Sequence, residues 1–152
     1  SWPSGLQTLT FGSRLGQMDG LTLPGGLETL IFGDQFNQSL KNVRLPSGLQ
    51  RLTFGSRFNQ ELDGVILPNS LQALTFGEQF NKSLVGVNLP SGLQTLIFGD
   101  EFNQSLDAVK LPSGLQTLTF GACYNQTMGS VNLPSGLRTL SFGFRFNQSL
   151  DG

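Results

Sequence analysis

Few side chains in this sequence have the type or spacing that catalysis requires. The 152 residues contain no histidine and a single cysteine, Cys123, which excludes a histidine general base and an internal disulfide. Asp100 and Glu101 form the one adjacent acidic pair, and no histidine or third ligand accompanies them. We therefore expect no enzyme activity, no cofactor and no catalytic or metal-binding residue, and we expect Cys123 to be exposed without a functional role.

The charge balance argues against two classes of partner. Nine Lys and Arg residues stand against ten Asp and Glu residues, which leaves a formal net charge of −1. Such a chain has no basic field to attract nucleic acid. No apolar stretch approaches the roughly 20 residues of a membrane-spanning helix. We expect neither nucleic-acid binding nor membrane insertion.

The elements that position all side chains follow from an internal repeat. A Phe-Gly pair recurs with gaps of 21, 22, 22, 22, 22 and 22 residues, and the proline residues recur with the same spacing. The Phe-Gly pairs begin at Phe11, Phe32, Phe54, Phe76, Phe98, Phe120 and Phe142. A fixed period near 22 residues is typical of a solenoid in which each repeat forms one coil.

Each coil contains two segments with alternating apolar residues. In the stretch 62–81, Val65 and Leu67 occupy alternate positions, as do Leu74 and Phe76, and we expect all four to point inward. Period-two alternation predicts two short strands per coil. The glycine that always follows Phe predicts a positive φ or a close approach of backbone at that position.

A third segment carries an aromatic residue followed by asparagine. We expect its rings to stack along the solenoid at roughly the 4.8 Å spacing of strands. We also expect a ladder of inward-pointing asparagines that satisfies backbone groups at a corner. The ladder residues are Asn37, Asn59, Asn81, Asn103, Asn125 and Asn147.

Five of these asparagines also begin an Asn-x-Ser/Thr glycosylation pattern, all except Asn59. A buried amide cannot carry a glycan, so three readings stay open. Either the predicted ladder is wrong, or the protein avoids the secretory route, or folding buries the acceptor sites before they can be glycosylated. The lack of a disulfide framework favours an intracellular location, while the compartment itself remains unassigned.

The combination of Leu-Pro, Phe-Gly and Phe/Tyr-Asn in register resembles the FNIP repeat family over essentially the whole chain. The chain departs from that pattern where a proline is usual after Asn-Gln, as at Ser83. The resemblance implies a leucine-rich-repeat-like solenoid that acts as a recognition module or scaffold. It supplies no catalytic residues.

The outward positions of one predicted strand form a nearly uncharged Thr-x-Thr column. Strand propensity alone can account for such residues, yet a regular array of hydroxyl groups also suits a binding face. The candidate face comprises Thr8, Thr10, Thr29, Ile31, Arg51, Thr53, Thr75, Thr95, Ile97, Thr117, Thr119 and Thr139. On the other predicted strand, small residues such as Gly64 and Gly86 either fit a crowded bend or admit another backbone.

We therefore predict an all-β, leucine-rich-repeat-like, right-handed solenoid of about seven 22-residue coils with little curvature. The coils span approximately 1–21, 22–43, 44–65, 66–87, 88–109, 110–131 and 132–152, in one repeat domain that we expect to be a fragment of a longer array. We expect a non-enzymatic scaffold that binds a protein partner or associates end to end. The alternative is binding of ice or a glycan through the Thr-x-Thr column.

Overall fold

The structure, a computed structural model, describes residues 1–150 and contains one sheet of seven parallel strands in that range. The strands are β1 (Thr8–Thr10), β2 (Thr29–Ile31), β3 (Arg51–Thr53), β4 (Ala73–Thr75), β5 (Thr95–Ile97), β6 (Thr117–Thr119) and β7 (Thr139–Ser141). Their order in the sheet is their order in the sequence, so the chain advances by one strand with each turn. The predicted all-β solenoid is confirmed.

Each strand directs its central leucine into the core. Leu96 in β5 is fully buried, and it pairs with Leu74 of β4 and Leu118 of β6. A slip of one residue would turn every one of these leucines to solvent, so the apolar pattern determines the register. The result is one continuous row of leucines beneath the sheet.

Two columns of aromatic rings also lie in the core, together with further buried aliphatic side chains. Within a coil the two rings stack closely, as Phe76 and Phe80 do with centroids 3.9 Å apart. Between coils the distances are 5.5 Å for Phe76 and Phe98 and 6.0 Å for Phe80 and Phe102. The stacked columns are present, but the expected separation of 4.8 Å is too small for the ring centroids. Rings that stack with a lateral offset have centroids farther apart than the coils themselves.

Of the two strands predicted in each coil, only one is present. The prediction of a strand at the segment that contains Val65 and Leu67 is wrong. Val65 and Leu67 are buried and Ile66 is 84% exposed, as the alternation predicts, but the segment does not pair as a strand. Instead Val65 N–H donates to Leu62 O at 3.0 Å, and Gly64 has a φ of 76°, which forms a turn. Within residues 1–150 no backbone hydrogen bond joins this segment to its counterpart in the next coil.

The coils are thus held more tightly on the sheet side than on the opposite side, which we call the back. On the sheet side Gln72 N–H donates to Gln50 O at 2.8 Å. On the back a groove of about 340 Å³ separates Gly64–Leu67 from the corresponding residues around Gly86 and Asn88. Within residues 1–150, backbone hydrogen bonds therefore join successive coils along the sheet but not along this segment of the back.

The glycines after phenylalanine are required by space and not by φ. Gly77 has no positive φ, yet a Cβ placed there would lie within 3.0 Å of the backbone of Gly55 in the preceding coil. The same holds for Gly33, Gly55, Gly99, Gly121 and Gly143. Of the two reasons predicted for these glycines, close backbone approach is correct and positive φ is wrong.

Candidate interaction surfaces

The candidate binding residues lie together on the outer side of the sheet, and we call this surface the sheet face. Its residues are Thr8, Thr10, Thr29, Ile31, Arg51, Thr53, Thr75, Thr95, Ile97, Thr117, Thr119 and Thr139. Each one is half-buried or exposed, while the leucine between each pair points into the core. The parallel register aligns the residues in two columns along the solenoid, with Thr95 beside Thr117 and Ile97 beside Thr119.

The sheet face has one charged side chain. Arg51 is exposed at the start of β3, and its partners in the adjoining strands are Thr29 and Ala73. Its partner in β4, Ala73, has a short side chain. The surface can therefore offer hydroxyl groups, methyl groups and one cationic anchor to a ligand.

Another column borders the sheet face and was missed in the sequence reasoning. It consists of the residue before each strand: Gln7, Glu28, Gln50, Gln72, Gln94, Gln116 and Arg138. Their side chains are half-buried or exposed, and the backbone carbonyls of the six before Arg138 accept hydrogen bonds from the next coil, as Gln94 O does from Thr117 N–H at 3.0 Å. The constant polar residue between a buried leucine and a strand was the signal that could have identified it.

The six asparagines of the third segment form a ladder along one side of the solenoid. The Oδ1 atom of each of the first five accepts the backbone N–H of the next asparagine in the series, at 2.9 Å in every case. The ladder runs through Asn37, Asn59, Asn81, Asn103, Asn125 and Asn147. Because the amide oxygens replace backbone acceptors at this corner, the segment needs no strand pairing to connect the coils.

The expectation that these asparagines lie inside the coil is wrong. None of the buried residues in the described range is polar, and Asn37 is exposed whereas Asn81 is half-buried. The hydrogen bonds of the ladder accordingly lie in exposed or partly buried positions, as those of Asn59 N–H and Asn103 N–H do. The ladder therefore does not hide the glycosylation patterns in the core.

Glutamines reinforce the ladder in most coils. Gln104 Nε2 donates to Asn81 Oδ1 at 3.0 Å and to Asn81 O at 3.3 Å. Lys82 occupies the equivalent position beside Asn59 and supplies no such bond. At the first coil, where Gly16 replaces asparagine, Gln38 Nε2 instead donates to Gly16 O at 2.9 Å.

The acidic pair and the cysteine have local structural contacts. Asp100 Oδ1 accepts Ala122 N–H at 3.1 Å, which stabilises the corner after β5, while Glu101 is exposed. Cys123 is half-buried rather than fully exposed, and its Sγ lies 3.8 Å from Arg145 Nη1. Within the described residues no group of three or more His, Cys, Asp or Glu side chains could hold a metal ion.

Residues 1–150 contain no helix long and apolar enough to cross a membrane.

Comparison with known proteins identifies similar repeats. The family model described as FNIP Repeat matches residues 36–79 and 80–123, which together exceed half of the chain. Among solved structures, one described as "the crystal structure of CroV588 a novel circular LRR protein structure" is 37% identical, with a TM-score of 0.72. The match covers 97% of this chain and 25% of that one, so this chain spans about a quarter of the similar protein's length. No curated protein matches the sequence.

Proposed function

The chain belongs to the FNIP repeat family, and from that premise we propose that it is a non-enzymatic scaffold whose sheet face binds a protein partner. The observation that carries the proposal is the aligned, uncovered sheet face. Its two columns follow a strict strand register, and the fully buried Leu74 and Leu96 fix the backbone behind them. A surface that is already ordered loses little conformational entropy on binding.

Arg51 is the central contact in this proposal. It is the one charge on the sheet face, it is exposed, and it lies beside the short side chain of Ala73. Arginine is enriched among residues that dominate binding energy, because its planar group forms several directed hydrogen bonds and packs on apolar surface. The threonines around it would provide shape and hydroxyl contacts.

The test compares matched variants on two sides of the solenoid. A partner is first purified and recombined with the chain, and affinity is then measured by calorimetry for Arg51→Ala, Thr95→Tyr and the back variant Asn88→Tyr. We expect about tenfold or greater weakening for the two sheet-face variants and no change for Asn88→Tyr. Weakening by Asn88→Tyr alone would refute the proposed face.

A second candidate function is binding of a regular non-protein surface, either ice or a glycan. The observation that favours it is the register of the threonine columns, such as Thr95 beside Thr117, because hydroxyl groups repeat about every 4.8 Å across the strands. Thermal hysteresis and ice-affinity partitioning test the ice reading, and binding to immobilised polysaccharides tests the glycan reading. Activity that disappears in Thr95→Tyr or Thr117→Tyr would replace the protein-scaffold proposal.

End-to-end association is a further way in which this scaffold would contact a protein. In the coil of β7, Leu140 and Phe142 are only half-buried, whereas the equivalent Leu118 and Phe120 of the preceding coil are 0% and 3% exposed. A coil of a second copy would cover them as successive coils cover one another. Sedimentation of the 152-residue chain over a range of concentrations tests this association, and a constant monomer mass would exclude it.

A further inference from the structure

One residue on the back departs from the chemistry of its counterparts in other coils. Ile66 is 84% exposed at the outward position between the buried Val65 and Leu67. The corresponding residues in the other coils are Thr22, Arg44, Asn88, Lys110 and Asn132, all of them polar. The exposed isoleucine therefore distinguishes this coil from the others on the back, and the repeat pattern does not account for it.

Ile66 forms the shared wall of two grooves between coils. The first groove, of about 340 Å³, also contains Gly64 and Gly86. The second groove, of about 520 Å³, also contains Lys41 and Arg44. An occupant that contacts Ile66 can therefore reach exposed glycine backbone on one side and two cationic side chains on the other.

The two cations have no partner within the chain as far as it is described. Neither the Lys41 nor the Arg44 side chain makes a hydrogen bond or ion pair among residues 1–150, and neither groove is lined by an acidic side chain. The second groove thus combines apolar surface from Ile66 and Leu45 with two unpaired positive charges. Its complement is a negatively charged group attached to an apolar one.

The backbone of the first groove is also accessible. Gly64 and Gly86 have φ values of 76° and 80° and no side chain to cover them. No backbone hydrogen bond crosses the groove between their segments, as described above. Polar main-chain groups next to an apolar wall suit an extended peptide, which can hydrogen-bond through its own backbone.

We propose that these two grooves bind an extended segment of a protein partner in which an acidic side chain lies next to an apolar one. The apolar side chain packs against Ile66, the carboxylate interacts with Arg44 and Lys41, and the peptide backbone lies over Gly64 and Gly86. This site is on the back and is independent of the sheet face.

The test uses amide NMR spectra of the full chain titrated with three acetylated and amidated peptides. The first is Ser-Leu-Asp-Leu-Glu-Ser, the second replaces both acidic residues by their amides, and the third replaces them by lysine. We expect the acidic peptide to shift the amide signals of Gly64, Ile66 and Gly86 and to bind about tenfold more tightly than the amide peptide. The lysine peptide should not bind.

Variants taken from other coils of the same chain keep the fold intact. Ile66→Asn copies Asn88 and Arg44→Thr copies Thr22, and each should weaken the acidic peptide about tenfold. Lys110→Thr removes a cation from the same column outside both grooves and should leave the affinity unchanged.

Five results would overturn the proposal. Four of them are equal binding of the three peptides, no binding of the acidic peptide, unchanged affinity in both groove variants, and signal changes at Thr95 and Thr117 instead of the back. Signal changes at Thr95 and Thr117 would still support a binding role for the sheet face. Shifts at Ile66 that depend on protein concentration without peptide would identify a second copy as the occupant and would also overturn it.

Discussion

Gly77 lies so close to Gly55 of the preceding coil that a Cβ atom at Gly77 would come within 3.0 Å of the Gly55 carbonyl group. This contact recurs at each later Phe-Gly pair, so the main chains of successive coils touch at one fixed corner. The corner lies at the end of each strand, directly next to the sheet face. Any side chain there would push two coils apart and disturb the register on which that face depends.

The first prediction concerns this corner. Gly77→Ala should lower the free energy of unfolding by about 1–3 kcal/mol, because the added methyl group meets backbone that cannot move aside. Gly12→Ala is the matched control, since a Cβ at Gly12 meets nothing within 4 Å. Urea unfolding measures both variants, and equal losses would contradict the close-approach explanation.

The second prediction compares two asparagines of the ladder, one whose Oδ1 accepts two hydrogen bonds and one whose Oδ1 accepts a single hydrogen bond. Asn81→Ala removes the acceptor of both Asn103 N–H and Gln104 Nε2, and we expect it to cost about 1–3 kcal/mol. Asn59→Ala removes one such bond, to Asn81 N–H, and should cost less. Urea unfolding of the two variants gives the comparison. A loss for Asn59→Ala as large as that for Asn81→Ala would show that the glutamine bond contributes nothing.

The third prediction is a stabilising substitution at the same surface. Lys82→Gln would supply the amide donor that coils with Gln60 and Gln104 already have, and its acceptor would be Asn59 Oδ1. We expect a gain of about 0.5–1 kcal/mol, which is typical of one added hydrogen bond. Thermal unfolding measures it, with Lys82→Met as a control that removes the charge and adds no donor. If Lys82→Met stabilises the protein equally, the gain comes from charge removal.

The fourth prediction uses the one tyrosine of the chain. Tyr124 is fully buried in the aromatic column, and its hydroxyl donates to Met128 Sδ at 3.5 Å, a weak bond. Burial, and to a lesser degree the negative charge of Asp107, raise the pKa of Tyr124 to about 12 from 10.0. The folded protein therefore holds the proton more tightly than the unfolded chain does.

The sign of the pH dependence follows from that difference. The stability linked to protonated Tyr124 is fully present below pH 10, the unfolded value, and is lost as the pH rises toward 12. Unfolding free energies of the wild type and Tyr124→Phe, measured between neutral pH and pH 12, should diverge above pH 10, with the phenylalanine variant more stable. Phenolate absorbance gives an independent measure of the pKa. Parallel stability curves would show that the hydroxyl is solvated in the folded state.

The sheet can be predicted from the sequence because one pattern specifies both which side chains face the core and how neighbouring strands are aligned. The period of 22 residues places Leu52 beside Leu74, and the buried leucine excludes any other alignment. It does not predict the back correctly, because the alternation of Val65 and Leu67 specifies which side chains face inward and not the distance to the next coil. Hydrogen bonding across coils depends on that distance, which the corners set.

In the candidate surfaces too, some features can be predicted from the repeat pattern and others cannot. The outward placement of Thr95 and Thr117 follows from alternation within a strand, so it can be predicted. The asparagine ladder also repeats at a fixed period, but periodicity does not say whether Asn81 faces the core or the solvent. That choice depends on where the N–H of Asn103 lies, and the three-dimensional structure places its hydrogen bond to Asn81 Oδ1 in a partly buried position. The grooves beside Ile66 depend on how the exposed turns of neighbouring coils lie relative to one another, which the repeat pattern does not specify.

The hydrogen bonds of the asparagine ladder all point in one direction along the solenoid. Asn59 N–H points back toward Asn37, and every later bond of the ladder repeats this orientation. In the sheet, by contrast, Phe54 N–H donates forward to Thr75 O while other strand N–H groups donate backward, so their dipoles largely cancel.

Aligned dipoles add, so the ladder gives this side of the molecule an electric polarity. Partial positive charge lies toward Asn37, and partial negative charge lies toward Asn147. A ligand with separated charges that binds along this side has its anionic end favoured near Asn37 and its cationic end near Asn147, and it therefore has one preferred orientation.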